Sequence, residues 1–167
     1  MLFDDTWAIP HVISVLIATA FLLASVHRPL LARKLYAALF VYATLVNAAV
    51  ALYKPLSYLD NARYALLESY RSFILGWFAD HIGLVVGSIS FSQALITIGL
   101  IVGGVWARAS LVAAIVFFVA ISPLGVASAF PSSLIWAVGA GWLLLNGAGR
   151  RSLDGSLPRL SPGGLAV

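Results

Sequence analysis

Ile82–Ala107 reads IGLVVGSISFSQALITIGLIVGGVWA and contains no charged side chain. A helix needs about 20 apolar residues to cross the hydrocarbon of a bilayer, and this run is long enough to do so. Its apolarity is continuous and does not alternate, as expected of a helix wetted by lipid. It is predicted as a membrane span. Four further apolar stretches surround it: Ile9–Val26, Leu35–Tyr53, Ala109–Ser128 and Pro131–Asn146. Pro10 suits a first helical turn, where its missing N–H would be unpaired anyway. The first stretch follows Asp4 and Asp5 and precedes its basic residues, the reverse of a signal peptide, and is predicted to be kept as a helix. Pro123 should kink the fourth span or end it early.

Composition agrees with this reading. Of 167 residues 62% are apolar and 10% charged, with a mean hydropathy of +1.01. A soluble domain runs near half apolar and a quarter charged. The expected fold is therefore all-α: a four-helix transmembrane bundle (spans two to five), an extra N-terminal transmembrane helix and an interfacial amphipathic helix. The corresponding units are 1–34 (first helix and basic loop), 35–147 (membrane domain, with the amphipathic segment at 57–80) and 148–167 (a Gly-, Pro- and Ser-rich tail expected to be mostly disordered). Within 57–80, Leu67, Tyr70, Ile74, Trp77 and Phe78 recur at three- and four-residue steps, with Asp60 as the expected N-cap.

Five spans place the two ends on opposite faces. With the N-terminus outside, Arg28, Arg33, Lys34, Arg108, Arg150, Arg151 and Arg159 lie inside and Lys54, Arg63 and Arg71 outside. The positive-inside rule favours that orientation in a bacterial-type plasma membrane. The net charge of +4 thereby becomes a matter of topology, and no basic cluster of the kind that binds nucleic acid is present.

Several chemistries are excluded. The sequence has no cysteine, HExxH or Walker loop, and no carboxylate falls in the middle of a span. Mid-membrane ionisable residues mark pumps and proton-coupled transporters, so a transporter of small solutes or lipids is the weakest of the functional classes. Asn47, Gln93 and Thr97 are polar residues inside spans, expected to act as interhelical hydrogen-bonding groups. His11 and His81 fall near one face, where they either rest in the interface or orient a quinone. Haem ligation is disfavoured, because an axial pair needs helices packed face to face around a cavity. Trp7, Tyr36, Tyr53, Tyr58, Trp77 and Trp106 lie at span ends, as expected of an aromatic belt. Gly83-xxx-Gly87, Gly99-xxx-Gly103, Gly139 and Gly141 allow close backbone approach, within the bundle first and in a homodimer or with a partner subunit second.

Three motifs bear on family. Gly147-Ala148-Gly149-Arg150-Arg151-Ser152-Leu153-Asp154, after the run Trp142–Leu145, resembles the terminal GPGRYSLD pattern of the DoxX-like family of small membrane proteins. Gly104-Val105-Trp106-Ala107-Arg108-Ala109 is similar to that family's glycine, three residues, arginine turn. Ala51-Leu52-Tyr53-Lys54 is similar to the end of its first helix, with Ala51 in place of glycine. Where family members often carry a glutamate, this chain reads Ser92-Gln93-Ala94.

The resemblance implies an accessory subunit of a membrane redox complex or, alternatively, a quinone-linked oxidoreductase subunit with a pocket at the outer face; it leaves open whether the chain has catalysis of its own. For the quinone-linked role, Lys54 would neutralise an anionic substrate, His81 with Asp80 would carry a proton, and Gln93 would orient the ring. Each has a simpler use: Lys54 snorkelling to the interface, Asp80 capping span three, His81 resting in the interface and Gln93 joining helices. Quinone is the cofactor implied, and no metal is expected.

Overall fold

The structure is a computed structural model that describes residues 5–128 and 130–146. The helices are α1 (Asp5–His27), α2 (Pro29–Tyr53), α3 (Glu68–Leu75), α4 (Trp77–Asp80), α5 (Ile82–Val102), α6 (Gly104–Ile121) and α7 (Ser132–Leu145). Two 3₁₀ segments, Pro55–Arg63 and Ser122–Ser128, interrupt them, and no strand occurs among the described residues. Four helices are long and apolar enough to cross a membrane, and α7 is a shorter apolar helix of 14 residues. The chain is an all-α, multi-pass membrane protein.

Helix ends fall where backbone chemistry puts them, which shifts several expected boundaries. α1 begins at Asp5, so Pro10 sits in its second turn and not its first. α2 begins at Pro29, six residues before Leu35, because proline at the first helical position already has a helical φ. The basic segment is therefore helical, and Arg33 is fully buried in the bundle. α5 stops at Val102 because Gly103 (φ 88°) and Gly104 (φ 61°) take left-handed backbone, so the turn precedes Ala107 and Arg108 lies on α6. α6 ends at Ile121, about two turns ahead of the expected limit at Ser128, because Pro123 cannot continue the helix.

Four helices share one core. Tyr36 and Phe40 of α2, Ile96 and Leu100 of α5, Leu111 and Phe118 of α6, and Ala140 and Leu143 of α7 are buried together. α1 packs outside this set against α7 and α2. Lipid is as apolar as leucine, so the helices gain little by hiding leucines from it. Close packing and hydrogen bonds hold them instead. Accordingly Leu16, Leu84, Val105 and Val116 face outward, while small residues occupy the contacts. A Cβ on Gly99 would meet the Trp106 carbonyl at 2.9 Å and collide with the Ser110 hydroxyl.

Helix directions follow from these contacts. The Ser14 hydroxyl donates to Ser132 Oγ at 2.9 Å, and Phe21 lies edge-on to Trp136 at 6.2 Å, so α1 and α7 run parallel. With α2, α5 and α6 alternating between them, the start of α1 and the end of α7 lie at opposite ends of the bundle. The connection from Pro55 to Asp80 caps the end at which α1 starts.

That cap is the expected amphipathic segment, in pieces. Ile74 and Phe78 are buried with Ala62, Ile82 and Val86, whereas Leu67 and Trp77 remain about half exposed. Gly76 breaks the helix between α3 and α4. Asp60 is not an N-cap: it lies within the first 3₁₀ segment, 3.9 Å from exposed Arg63, and α3 is preceded by Leu67 without a side-chain cap. The cap also seals the end of α6. The Leu66 amide donates to the Pro123 carbonyl and the Tyr70 hydroxyl to the Ala120 carbonyl, both at 2.8 Å. These are carbonyls that a helix C-terminus leaves unpaired.

Candidate functional site

A polar cluster joins α2, α5 and the cap. The Asn47 side-chain amide donates to Gln93 Oε1 at 3.0 Å, and the Tyr58 hydroxyl donates to Asn47 Oδ1 at 3.0 Å. The Asn47–Gln93 pair is the interhelical hydrogen bond expected of two amides inside spans. Tyr58 was expected in the aromatic belt. Instead the turn after Pro55 folds its ring inward, edge-on to Phe78 at 6.4 Å. Nothing local in the sequence marks this, because it depends on the cap lying across the bundle end.

Burial pushes the Tyr58 phenol above its ordinary value of 10.0. A raised phenol favours the neutral form in the folded protein. Its contribution to stability is therefore fully present below about pH 10 and lost as pH rises through the raised value. In Tyr58→Phe this portion of the alkaline loss should vanish, as read from unfolding midpoints against pH.

Gln93 is 1% exposed, and its Nε2 has no hydrogen-bond partner among the described residues. Such an unmatched donor in a low-dielectric interior costs roughly 1–3 kcal/mol. The same residue lines a cavity of about 750 Å³ between α5 and α6. Gly99, Ala109 and Ala113 leave this space open, Leu95, Ile98 and Val102 make its walls apolar, and Trp106 stands at the end away from the cap. Several of these residues are exposed on the outer surface of the bundle, so the cavity opens sideways. Its size is that of sites for small organic molecules.

The other sequence-selected residues stand elsewhere. Lys54, Asp80 and His81 belong to the capped end and do not line this cavity. Lys54 is exposed just after α2, where its carbonyl accepts from the Ser57 hydroxyl at 2.8 Å. Asp80 is exposed at the end of α4; it does not cap α5, whose N-cap position is His81 without a side-chain cap. His81 makes no ion pair with Asp80. Its Nδ1 lies 2.8 Å from the Trp77 carbonyl, and its ring stacks on Trp77 at 4.3 Å and 11°. A carbonyl only accepts, so Nδ1 carries a proton and Nε2 is the nitrogen left to exchange one. His11 lies near the start of α1, toward this same end. Among the described residues no group of three His, Cys, Asp or Glu could hold a metal ion.

Two further expectations change. Tyr36 is a core residue and not a belt residue: it is fully buried and donates to the Trp136 carbonyl at 2.7 Å. The glycines divide by role. Gly99 and Gly139 sit in internal contacts, whereas a Cβ on Gly83 or Gly87 would meet nothing within 4 Å. The motif Gly147–Asp154 and the tail 148–167 lie outside the described residues. No protein-family model matches the chain, and neither the curated proteins nor the solved structures contain a match to it.

Proposed function

We propose that the chain is an accessory subunit of a membrane redox complex, DoxX-like in organisation and seated in the plasma membrane with its N-terminus outside and its C-terminus in the cytoplasm. The observation that carries this reading is the open face of α5, where Gly83 and Gly87 are exposed one turn apart with free space above both. A helix of another subunit can lie against such a face at close range. The described spans hold no carboxylate at mid-depth, which favours a supporting role over ion pumping. The orientation draws on the excess of Lys and Arg at the uncapped end, Arg28, Arg33, Lys34 and Arg108 with the arginines of the C-terminal sequence, over Lys54, Arg63 and Arg71 at the cap.

Purification from the native membrane in mild detergent should bring down a constant redox partner, and Gly87→Leu should reduce its recovery several-fold. A chain that purifies alone, or a partner retained by Gly87→Leu, overturns the reading. A reporter fused to the C-terminus should be active in the cytoplasm, and activity only on the outer side would reverse the orientation. A second reading, a quinone-linked oxidoreductase subunit, is favoured by the Gln93 donor beside an apolar cavity. Solvent extraction of the purified protein that yields no quinone counts against it.

A further inference from the structure

We propose that the cavity between α5 and α6 seats one acyl chain of a glycerolipid from the leaflet at the uncapped end, with an ester carbonyl of that lipid accepting a hydrogen bond from Ser110 Oγ. This goes beyond the redox reading and does not depend on it, because it uses neither Gln93 nor electron transfer.

Hydroxyls inside these spans are ordinarily spent on their own helix. Thr19, Ser25, Thr44, Ser88, Thr97 and Ser122 each donate to the carbonyl four residues earlier, at 2.7–3.0 Å. Ser110 does not. Its hydroxyl is turned onto Gly99 of α5, where a side chain would collide with it, and it has no hydrogen-bond partner among the described residues. Ser110 is 7% exposed and lines the cavity. Gln93 Nε2 and Ser90 Oγ are fully enclosed, whereas Ser110 Oγ is not closed off from this space. A buried hydroxyl left unmatched costs roughly 1–3 kcal/mol, which an acceptor entering the cavity relieves.

Depth names the acceptor. α5 has 21 residues, about 31 Å at 1.5 Å per residue, which matches a hydrocarbon layer about 30 Å thick. Gly99 is three residues from the end of α5, so Ser110 Oγ lies roughly 5 Å inside the layer. The ester carbonyls of glycerolipids sit at that boundary, and a hydrogen bond of about 2.8 Å covers more than half of the distance. Gln93, roughly 14 Å from the same end, is beyond their reach.

The cavity fits the chain that follows. From Trp106 to Val116 it runs ten residues of α6, about 15 Å, the depth of one leaflet. Gly99, Ala109 and Ala113 keep it open, Leu95 and Val116 make it apolar, and it opens sideways into lipid. A helix of a second copy is the competing occupant. Its carbonyls are spent within that helix, so it leaves Ser110 unmatched.

The test titrates the purified full chain in detergent with palmitoyl-oleoyl-phosphatidylethanolamine and, separately, with its di-O-alkyl analogue, which keeps the headgroup and chains but has no ester carbonyl. Native mass spectrometry counts the lipids retained. One lipid should bind ahead of any other, the diester about fivefold more tightly than the diether, the equivalent of one hydrogen bond. Ser110→Ala should lower the diester to the affinity of the diether and leave the diether unchanged, which a general loss of packing would not do. With carbon-13 in the ester carbonyls, the bound lipid should show one stretch shifted to lower frequency, absent in Ser110→Ala. Ala113→Phe, which fills the cavity, should abolish the tight adduct of both lipids. Equal affinities of diester and diether for the unaltered chain would overturn the proposal, and that result requires no variant to fold. So would a diester preference that persists in Ser110→Ala, or a tight adduct retained by Ala113→Phe. A dimer of the unaltered chain that Ala113→Phe separates would overturn it as well, since a second copy would then cover the cavity.

Discussion

Gly139→Ala should destabilise the bundle by about 2 kcal/mol, although alanine is the better helix former. A Cβ at this position would stand 2.5 Å from the Tyr36 hydroxyl oxygen, 3.1 Å from Ser25 Oγ and 3.5 Å from the Leu22 Cα. Overpacking of this kind costs roughly 1–3 kcal/mol. Displacing Tyr36 also strains the 2.7 Å hydrogen bond to the Trp136 carbonyl, worth about 1 kcal/mol. Against this stands a helix-propensity gain of up to about 1 kcal/mol. Gly139→Leu removes any accommodation and should exceed 3 kcal/mol by parting α1 from α7. The control is two residues away: a Cβ on Gly141 would meet only Ile115 Cδ1, at 4.0 Å. Gly141→Ala should therefore be neutral or slightly stabilising. Unfolding midpoints in mixed detergent micelles, titrated with dodecyl sulfate, report all three, and equal effects at 139 and 141 would refute the packing assignment.

Asn47→Leu should cost about 1–2 kcal/mol by the same measurement, since it strands Gln93 Oε1 and leaves the Tyr58 hydroxyl only its 3.2 Å contact with the backbone carbonyl of residue 47. Hydrogen bonds between membrane helices average about 0.6 kcal/mol and reach about 1.7; one such bond is lost and the Tyr58 bond is weakened. Tyr58→Phe removes only one end of the chain and should cost about half as much. The sharper readout is the double variant. Gln93→Leu combined with Asn47→Leu removes both members of the pair, so the combined loss should fall short of the sum of the single losses by about 1 kcal/mol. Strict additivity would mean that the two amides do not interact.

How far the sequence revealed the site can be judged from these residues. Asn47 and Gln93 stood out because amides inside apolar runs require a partner, and two amides are natural partners. Tyr58 did not, because a tyrosine just beyond a span end is equally at home among lipid headgroups. The cavity was not readable either. Gly99, Ala109 and Ala113 are ordinary residues in membrane helices, and they enclose space only because α5 and α6 are placed side by side. Lys54, Asp80 and His81 have the side-chain chemistry of a site, yet they lie at the capped end and do not line the cavity between α5 and α6. Adjacency in sequence suggests Asp80 as the partner of His81, whereas four residues of separation along the turn set its ring on Trp77.

The sequence by itself determined that the chain is helical and lies in a membrane. Long uncharged runs leave the backbone no other way to pair its polar groups in lipid, and charges, prolines and glycines mark the gaps between runs. It also marked Pro123 as a break in the fourth span, a consequence of one residue's covalent structure. Tertiary structure decided the rest: that α1 packs on α7, that Tyr36 is core, that the segment 55–80 closes one end of the bundle, and that Gln93 is left with one unmatched donor. Each of these depends on which faces meet. In a bilayer, where every face of a span is apolar, sequence periodicity carries little information about that choice; close contact between small residues makes it.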